Sequence, residues 1–199
     1  ILTDINVGAV KTGMLFNVEI IDLVSEALAE FDNPKVIDPV MVSTAGSILI
    51  EKNAIELYQK SLFPKASLLT PNIYEASLLA NMDIIDKEDV ALAAKRILDF
   101  GPHAVLVKGG GMASLAGTDY YLDSEGTEQW LVRRRVKTNY THGSGCTLSA
   151  SIAAGLSNGL DLLSSIETAK NYMQICLENG IQIGSIGGTV CQFKKYSDQ

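Results

Sequence analysis

Apolar positions along the chain follow two patterns that alternate with each other. Runs such as Lys35–Val42, Ala66–Leu69 and His103–Lys108 are apolar without alternation, the mark of strands buried on both faces. Between them lie longer stretches with apolar residues three and four apart. Asn17 is placed to cap a helix over Val18–Phe31, in which Ile20, Ile21, Val24, Ala27 and Leu28 share a face, and Asn33-Pro34 ends it. Further helices are predicted over Asn53–Ser61, Ile73–Ala80 and Leu162–Glu178, and over Lys87–Phe100, capped by Asp86 and stopped by Gly101-Pro102. A short strand at Ala9–Lys11 turns at Gly13. Asp119–Asp123 and Thr127–Val132 read as a hairpin about Ser124-Glu125-Gly126. Gly180–Gln199 reads as loop, with a short terminal strand at most. Strands and helices in alternation predict an α/β domain with a mainly parallel central sheet and helices on both faces.

Ligands of such sheets sit beyond the C-terminal ends of the strands. The stretch that stands out there is Thr141–Ala150, where small and polar residues give way to a helical pattern through Leu148, Ile152, Ala153 and Leu156. Gly143 and Gly145 lack a Cβ, so backbone N–H groups come close to a ligand. A helix start adds unpaired donors and a partial positive charge, which together suit a phosphate or a transferring phosphoryl group. Cys146 falls on the first turn, a position that favours the thiolate. The same spacing also reads as a plain loop joined to a buried helix, with Cys146 as a small core residue.

Other polar residues fall at the same predicted edge. Asp38 ends a strand, placed to hold Mg²⁺ directly or through water, or else to close a turn. Asn72 and Glu75 are three apart, as in a capping box; the same placement turns Glu75 toward a hydrated Mg²⁺ and Asn72 toward phosphate. Lys108 leaves an apolar strand into Gly109-Gly110-Gly111, either as a charge for nucleotide phosphates or as a strand-end lysine reaching solvent. Lys11 has a similar setting. His142 reads as a general base, an oxyanion donor or a loop residue. Trp130 and Tyr120-Tyr121 read as hairpin packing or as a base-stacking surface, and Cys176 and Cys191 as structural.

Composition narrows the functional classes. The 199 residues suit one domain with a real core. A net charge of −7 and a pI near 4.8 argue against a nucleic-acid or anionic-membrane partner. Three cysteines give no disulfide framework and no Cys/His zinc spacing, which fits a reducing cytoplasm. The first residues lack the basic start and apolar core of a signal peptide. A dinucleotide fingerprint would place its glycine turn after the first strand with a sixth-position glycine; here the turn is late and that glycine is missing.

Ala9–Leu15, Asp38-Pro-Val-Met-Val42, Thr70-Pro-Asn-Ile-Tyr-Glu75, Val107-Lys-Gly-Gly110 and Thr141-His-Gly-Ser-Gly-Cys-Thr147 occur in that order. This set resembles the hydroxymethylpyrimidine/phosphomethylpyrimidine kinases of thiamine biosynthesis, within the ribokinase-like superfamily. The resemblance implies a three-layer ribokinase-like fold as a single domain over 1–199, lacking the N-terminal strand and glycine-rich loop that family members carry. It implies transfer of the ATP γ-phosphate, with Mg²⁺, to 4-amino-5-hydroxymethyl-2-methylpyrimidine and then to its monophosphate. The anion hole maps onto Gly143, Ser144, Gly145 and Cys146. The nucleotide side maps onto Asp38, Asn72, Lys108 and Gly109, the metal onto Glu75 and Asp38, and the pyrimidine border onto Met14, Val40 and Cys146. Cys146 stands where most of the superfamily carries an Asp base. A homodimer is implied as well. Relatives with the same cysteine phosphorylate pyridoxal or pyridoxine, which is the alternative, and a non-catalytic ribokinase-like binding protein is a third. Two departures stand out: the loop Val42–Gly46 is neutral where many members carry a lysine, and the tail Ser185–Phe193 differs from the family's Gly-His-Gly-Pro end.

Overall fold

The computed structural model describes residues 4–42, 50–185 and 187–193. The neutral stretch 43–46 noted above lies outside them. In chain order the elements are β1 (Val10–Thr12), α1 (Val18–Ala27), β2 (Lys35–Ile37), α2 (Lys52–Leu57), β3 (Leu68–Leu69), α3 (Ile73–Ala80), α4 (Lys87–Leu98), β4 (Ala104–Lys108), β5 (Thr118–Asp123), β6 (Glu128–Val132), α5 (Ser144–Ser157), α6 (Leu162–Glu178), β7 (Ile181–Ile183) and β8 (Gly187–Thr189).

The first six strands form one sheet in sequence order, β1 to β4 parallel and the β5–β6 hairpin antiparallel at the edge. Parallel neighbours need crossovers of one hand, so strands added in a single direction send every crossover over the same face. That face carries α1 to α4, packed on Ile37, Leu69, Val105 and Val107. The opposite face carries α5 and α6, packed on Val36, Leu68, Ala104 and Leu106. Strand alternation thus feeds two cores, which makes the predicted three-layer α/β architecture.

Three local expectations change. The helix expected to reach Phe31 ends at Ala27, because the Leu28 and Ala29 amides turn back to Glu26 with the tighter spacing of a helix end. Its buried side is also rotated. Ile21 and Leu28 are buried, but Ile20 and Ala27 are exposed and Ser25 faces inward. Ser25 donates to the Ser61 carbonyl and accepts from Lys65, so a polar tie overrides the apolar face. The tail expected as loop forms the β7–β8 hairpin, whose far strand bridges His142.

Candidate functional site

Alternation within the sheet decides which strand-end residues meet α5. Asp38, Thr70 and Lys108 each follow an inward residue by one or two positions, on the same side as Val36, Leu68 and Leu106. They converge. Asp38 is 1% exposed. Its Oδ1 accepts from Lys108 Nζ at 2.8 Å and Thr70 Oγ1 at 3.1 Å. Its Oδ2 accepts from Ser149 Oγ of α5 at 3.1 Å. One carboxylate therefore ties β2, β3, β4 and α5 together.

The helix that Asp38 anchors begins as the glycines predict. Gly143 is its N-cap at φ +81, a left-handed conformation that glycine adopts without strain, and no side chain caps the helix. Among the described residues the Gly145 and Cys146 amides have no acceptor. A Cβ built on Gly145 would stand 3.4 Å from Lys108 Nζ, so the buried ammonium lies directly against the turn. This is a cradle for an anion: unpaired amides, a helix N-terminus and a lysine within reach of one point. Burial works against the Lys108 charge, but Asp38, Glu75 and Asp119 outweigh it and hold its pKa above the ordinary lysine value. Cys146 stands exposed on the same turn.

Asn72 and Glu75 form the capping box that their spacing predicts. Glu75 N–H donates to Asn72 Oδ1 at 3.0 Å, and Asn72 N–H donates to Glu75 Oε2 at 2.8 Å. Glu75 Oε1 accepts the Met41 N–H at 3.3 Å, so the same carboxylate also fixes the loop after β2. Burial pushes the Glu75 carboxyl up to about 7, with Lys108 and the Asn72 and Met41 amides pulling the other way. Every oxygen of Asp38 and Glu75 already accepts a protein donor, and the described residues contain no cluster of three or more His, Cys, Asp or Glu side chains suited to a metal. The pair fits a hydrated magnesium ion whose direct ligands are nucleotide phosphates and water, and does not fit a closed protein cage.

Gly109 is packed more tightly than its neighbours in the glycine run. Expected at the nucleotide, it is buried, its N–H donates to Asp119 Oδ1 at 3.0 Å and its carbonyl accepts from Met112. A Cβ there would collide with the Thr118 carbonyl. It is closely packed, whereas Gly110 and Gly111 are exposed.

Met14 and Val40 follow the paired ends of β1 and β2, one 54% exposed and the other partly buried. Both stand at the edge that carries Asp38. The His142 backbone is held by the tail: its N–H donates to the Gly188 carbonyl, and its carbonyl accepts from Val190 N–H and Thr189 Oγ1. Gly188 leaves no room for a Cβ beside Tyr140 and Ile181. Trp130 and Tyr120 pack ring on ring at 4.8 Å within the hairpin, with Lys87 over the indole.

One buried ion pair escaped the sequence reading. Asp119 Oδ2 accepts from Lys170 Nζ of α6, both residues buried, while Asp119 Oδ1 holds Gly109. The signal was present: Lys170 interrupts the apolar series Ile166, Ala169, Met173, the buried face of α6.

Comparison with known proteins settles the lineage. The family model described as phosphomethylpyrimidine kinase matches residues 1–191. The chain belongs to the phosphomethylpyrimidine kinase family. A hydroxymethylpyrimidine/phosphomethylpyrimidine kinase of Synechococcus elongatus is 43% identical over 97% of this chain and 73% of its own length. Among solved structures, pyridoxal kinase of Bacillus subtilis in an ADP complex superposes with a TM-score of 0.87 at 32% identity, covering 96% of this chain and 71% of that one. Phosphomethylpyrimidine kinase of Clostridium difficile superposes with a TM-score of 0.75 at 31% identity, covering 87% and 70%. A ribokinase-like fold is common to them.

Proposed function

We propose that the chain transfers the γ-phosphoryl group of ATP to the hydroxymethyl group of 4-amino-5-hydroxymethyl-2-methylpyrimidine, and then to the resulting monophosphate, for thiamine biosynthesis. The observation that carries this reading is the uncapped turn Gly143–Cys146 with Lys108 Nζ against Gly145. In the first transfer the acceptor oxygen attacks the γ-phosphorus, the bond to the β–γ bridging oxygen breaks, and ADP leaves. The Gly145 and Cys146 amides and the Lys108 ammonium neutralise the charge on the moving group, where positioned donors count most. Asp38 acts by holding Lys108 and α5 in register. Asn72 turns its amide group to the nucleotide while its oxygen caps α3, and Met14, Val40 and Cys146 border the pyrimidine. Cys146 takes the proton of the acceptor hydroxyl. Magnesium, bound to the nucleotide phosphates, would add neutralising charge, with Glu75 and Asp38 facing its water shell.

The remaining features are read with this activity. Three unpaired cysteines favour a cytoplasmic protein. No described helix is long and apolar enough to cross a membrane, and the net charge of −7 disfavours nucleic acid. A homodimer follows from the family resemblance. The higher TM-score to a pyridoxal kinase supports pyridoxal phosphorylation as a second reading.

The test is ADP release coupled to each acceptor. Turnover with both the pyrimidine alcohol and its monophosphate, at a kcat/KM at least about tenfold above pyridoxal, supports the proposal. Turnover of pyridoxal alone replaces it with the second reading.

A further inference from the structure

One partly buried cation on the α5 side of the sheet has no part in the site described above. Lys11 lies on β1 one residue after Val10, which packs toward α1–α4, so its side chain leaves on the α5 side. Its Nζ stands 3.2 Å from where a Cβ of Gly13 would be, so the stem folds forward over the C-terminal end of the strand. In the β1–β2 register Thr12 pairs with Ile37, which sets Gly13 beside Asp38. Two lysines therefore belong to this end of the sheet, and only one of them reaches Asp38. Lys108 approaches from β4 and pairs with it at 2.8 Å. Lys11 lies on the neighbouring strand, β1, and among the described residues it has no ion-pair or hydrogen-bond partner.

The missing partner is informative. Lys11 is partly buried, and among the described residues no carboxylate lies within 4.0 Å of it and no acceptor within hydrogen-bond reach. Residues 43–49 carry no acidic side chain, so they hold no counter-charge for it either. A lysine half withdrawn from water without an anion is an unfavourable arrangement unless a ligand brings one. The group that arrives at this edge beside Met14 and Val40 is the acceptor.

We infer that Lys11 is the binding residue for the phosphate of the phosphorylated acceptor in the second transfer, so that Lys108 neutralises the donor phosphates and Lys11 the acceptor phosphate. This rests on the pyrimidine-kinase reading. In that step an ionised oxygen of the acceptor phosphate attacks the γ-phosphorus. A P–O–P bond forms, the bond to the ADP oxygen breaks, and no proton need leave the nucleophile. Two anions must meet, and a cation on each side lowers their repulsion.

The experiment measures kcat/KM of the full chain with the alcohol and with its monophosphate, for wild type, Lys11→Met and Lys11→Arg. In Lys11→Met the monophosphate-to-alcohol ratio of kcat/KM falls about thirtyfold or more, chiefly through KM, as expected for one charge-assisted contact. Lys11→Arg restores the ratio to within about fivefold, which separates lost charge from lost fold. A ratio in Lys11→Met within about threefold of wild type, with wild-type turnover of both acceptors, overturns the Lys11 assignment alone. Wild-type failure on both pyrimidines overturns the functional reading, and the assignment with it.

Discussion

Glu75 is the residue whose environment makes the sharpest quantitative demand. Its carboxyl is 2% exposed and its folded pKa is about 7, against an ordinary value of 4.5. In the unfolded chain it ionises near 4.5; in the folded chain it keeps its proton until near 7. The folded state therefore binds more protons across that window, and stability falls as pH rises through it, levelling above about 7. At 1.36 kcal/mol per pH unit the fall is on the order of 3 kcal/mol. Glu75→Gln keeps the shape and one acceptor for the Asn72 amide but cannot ionise, so this pH dependence disappears. The assay is urea unfolding of both proteins without ligand from pH 5 to pH 8.5. The stability difference should move in the variant's favour by about 2–3 kcal/mol, or roughly 5–10 °C in thermal midpoint for a chain of this size. Other titrating groups cancel in the comparison. Lys108 is the coupled exception, but its raised pKa gives a contribution that is complete below its unfolded value of 10.5 and is lost only above it, outside the window. A difference that stays flat between pH 5 and 8.5 would refute the claim that burial dominates at this carboxylate.

Cys146→Ala should slow transfer to the pyrimidine alcohol by about tenfold or more while slowing transfer to the monophosphate much less, because only the alcohol has a proton to lose; equal losses on both acceptors would reduce the thiol to a contact. Gly145→Leu extends a side chain from a position whose Cβ already stands 3.4 Å from Lys108 Nζ. Turnover should drop about a hundredfold or more with a circular dichroism spectrum like that of wild type, and near-normal rates would remove the turn from the mechanism. Lys170→Met leaves the Asp119 carboxylate buried and unpaired, at a cost of about 3–5 kcal/mol in chemical denaturation. Adding Asp119→Asn should recover part of that loss, and strictly additive effects in the double variant would deny the pairing.

How much of this could be read from the chain alone depended on the range of the interaction. The Asn72–Glu75 box and the Asp86 cap act within three residues, and α3 and α6 span the residues that their patterns predicted. The glycine turn at Gly143 likewise shows itself locally, as a left-handed cap where the helical pattern begins. The buried face of α1 was misplaced because Ser25 answers to Lys65, forty residues away. The packing of Gly109 against the Thr118 backbone was not legible, because no local pattern reveals that contact. The β7–β8 hairpin was hard to see for a different cause: its strands are three residues long and β8 is Gly-Gly-Thr, too short and too poor in side chains for a pattern, and its pairing to the chain before α5 is long-range.

The polar residues that were legible and those that were not turn out to serve one mechanical end. Asp38 binds Ser149 on the second turn of α5, and Asp119 binds Lys170 on α6, which packs along α5. Each contact fixes a helix on the second core to a strand end. Apolar packing alone would let α5 slide by a fraction of a turn on the smooth surface of Val36, Leu68 and Leu106, since dispersion contacts are non-directional. Such a slip would carry the Gly145 and Cys146 amides away from Lys108. Hydrogen-bonded carboxylates have direction, and they pin the helix start to the lysine. The buried charges are therefore better explained by the precision that phosphoryl transfer needs than by stability, which well-packed apolar residues would supply at least as well.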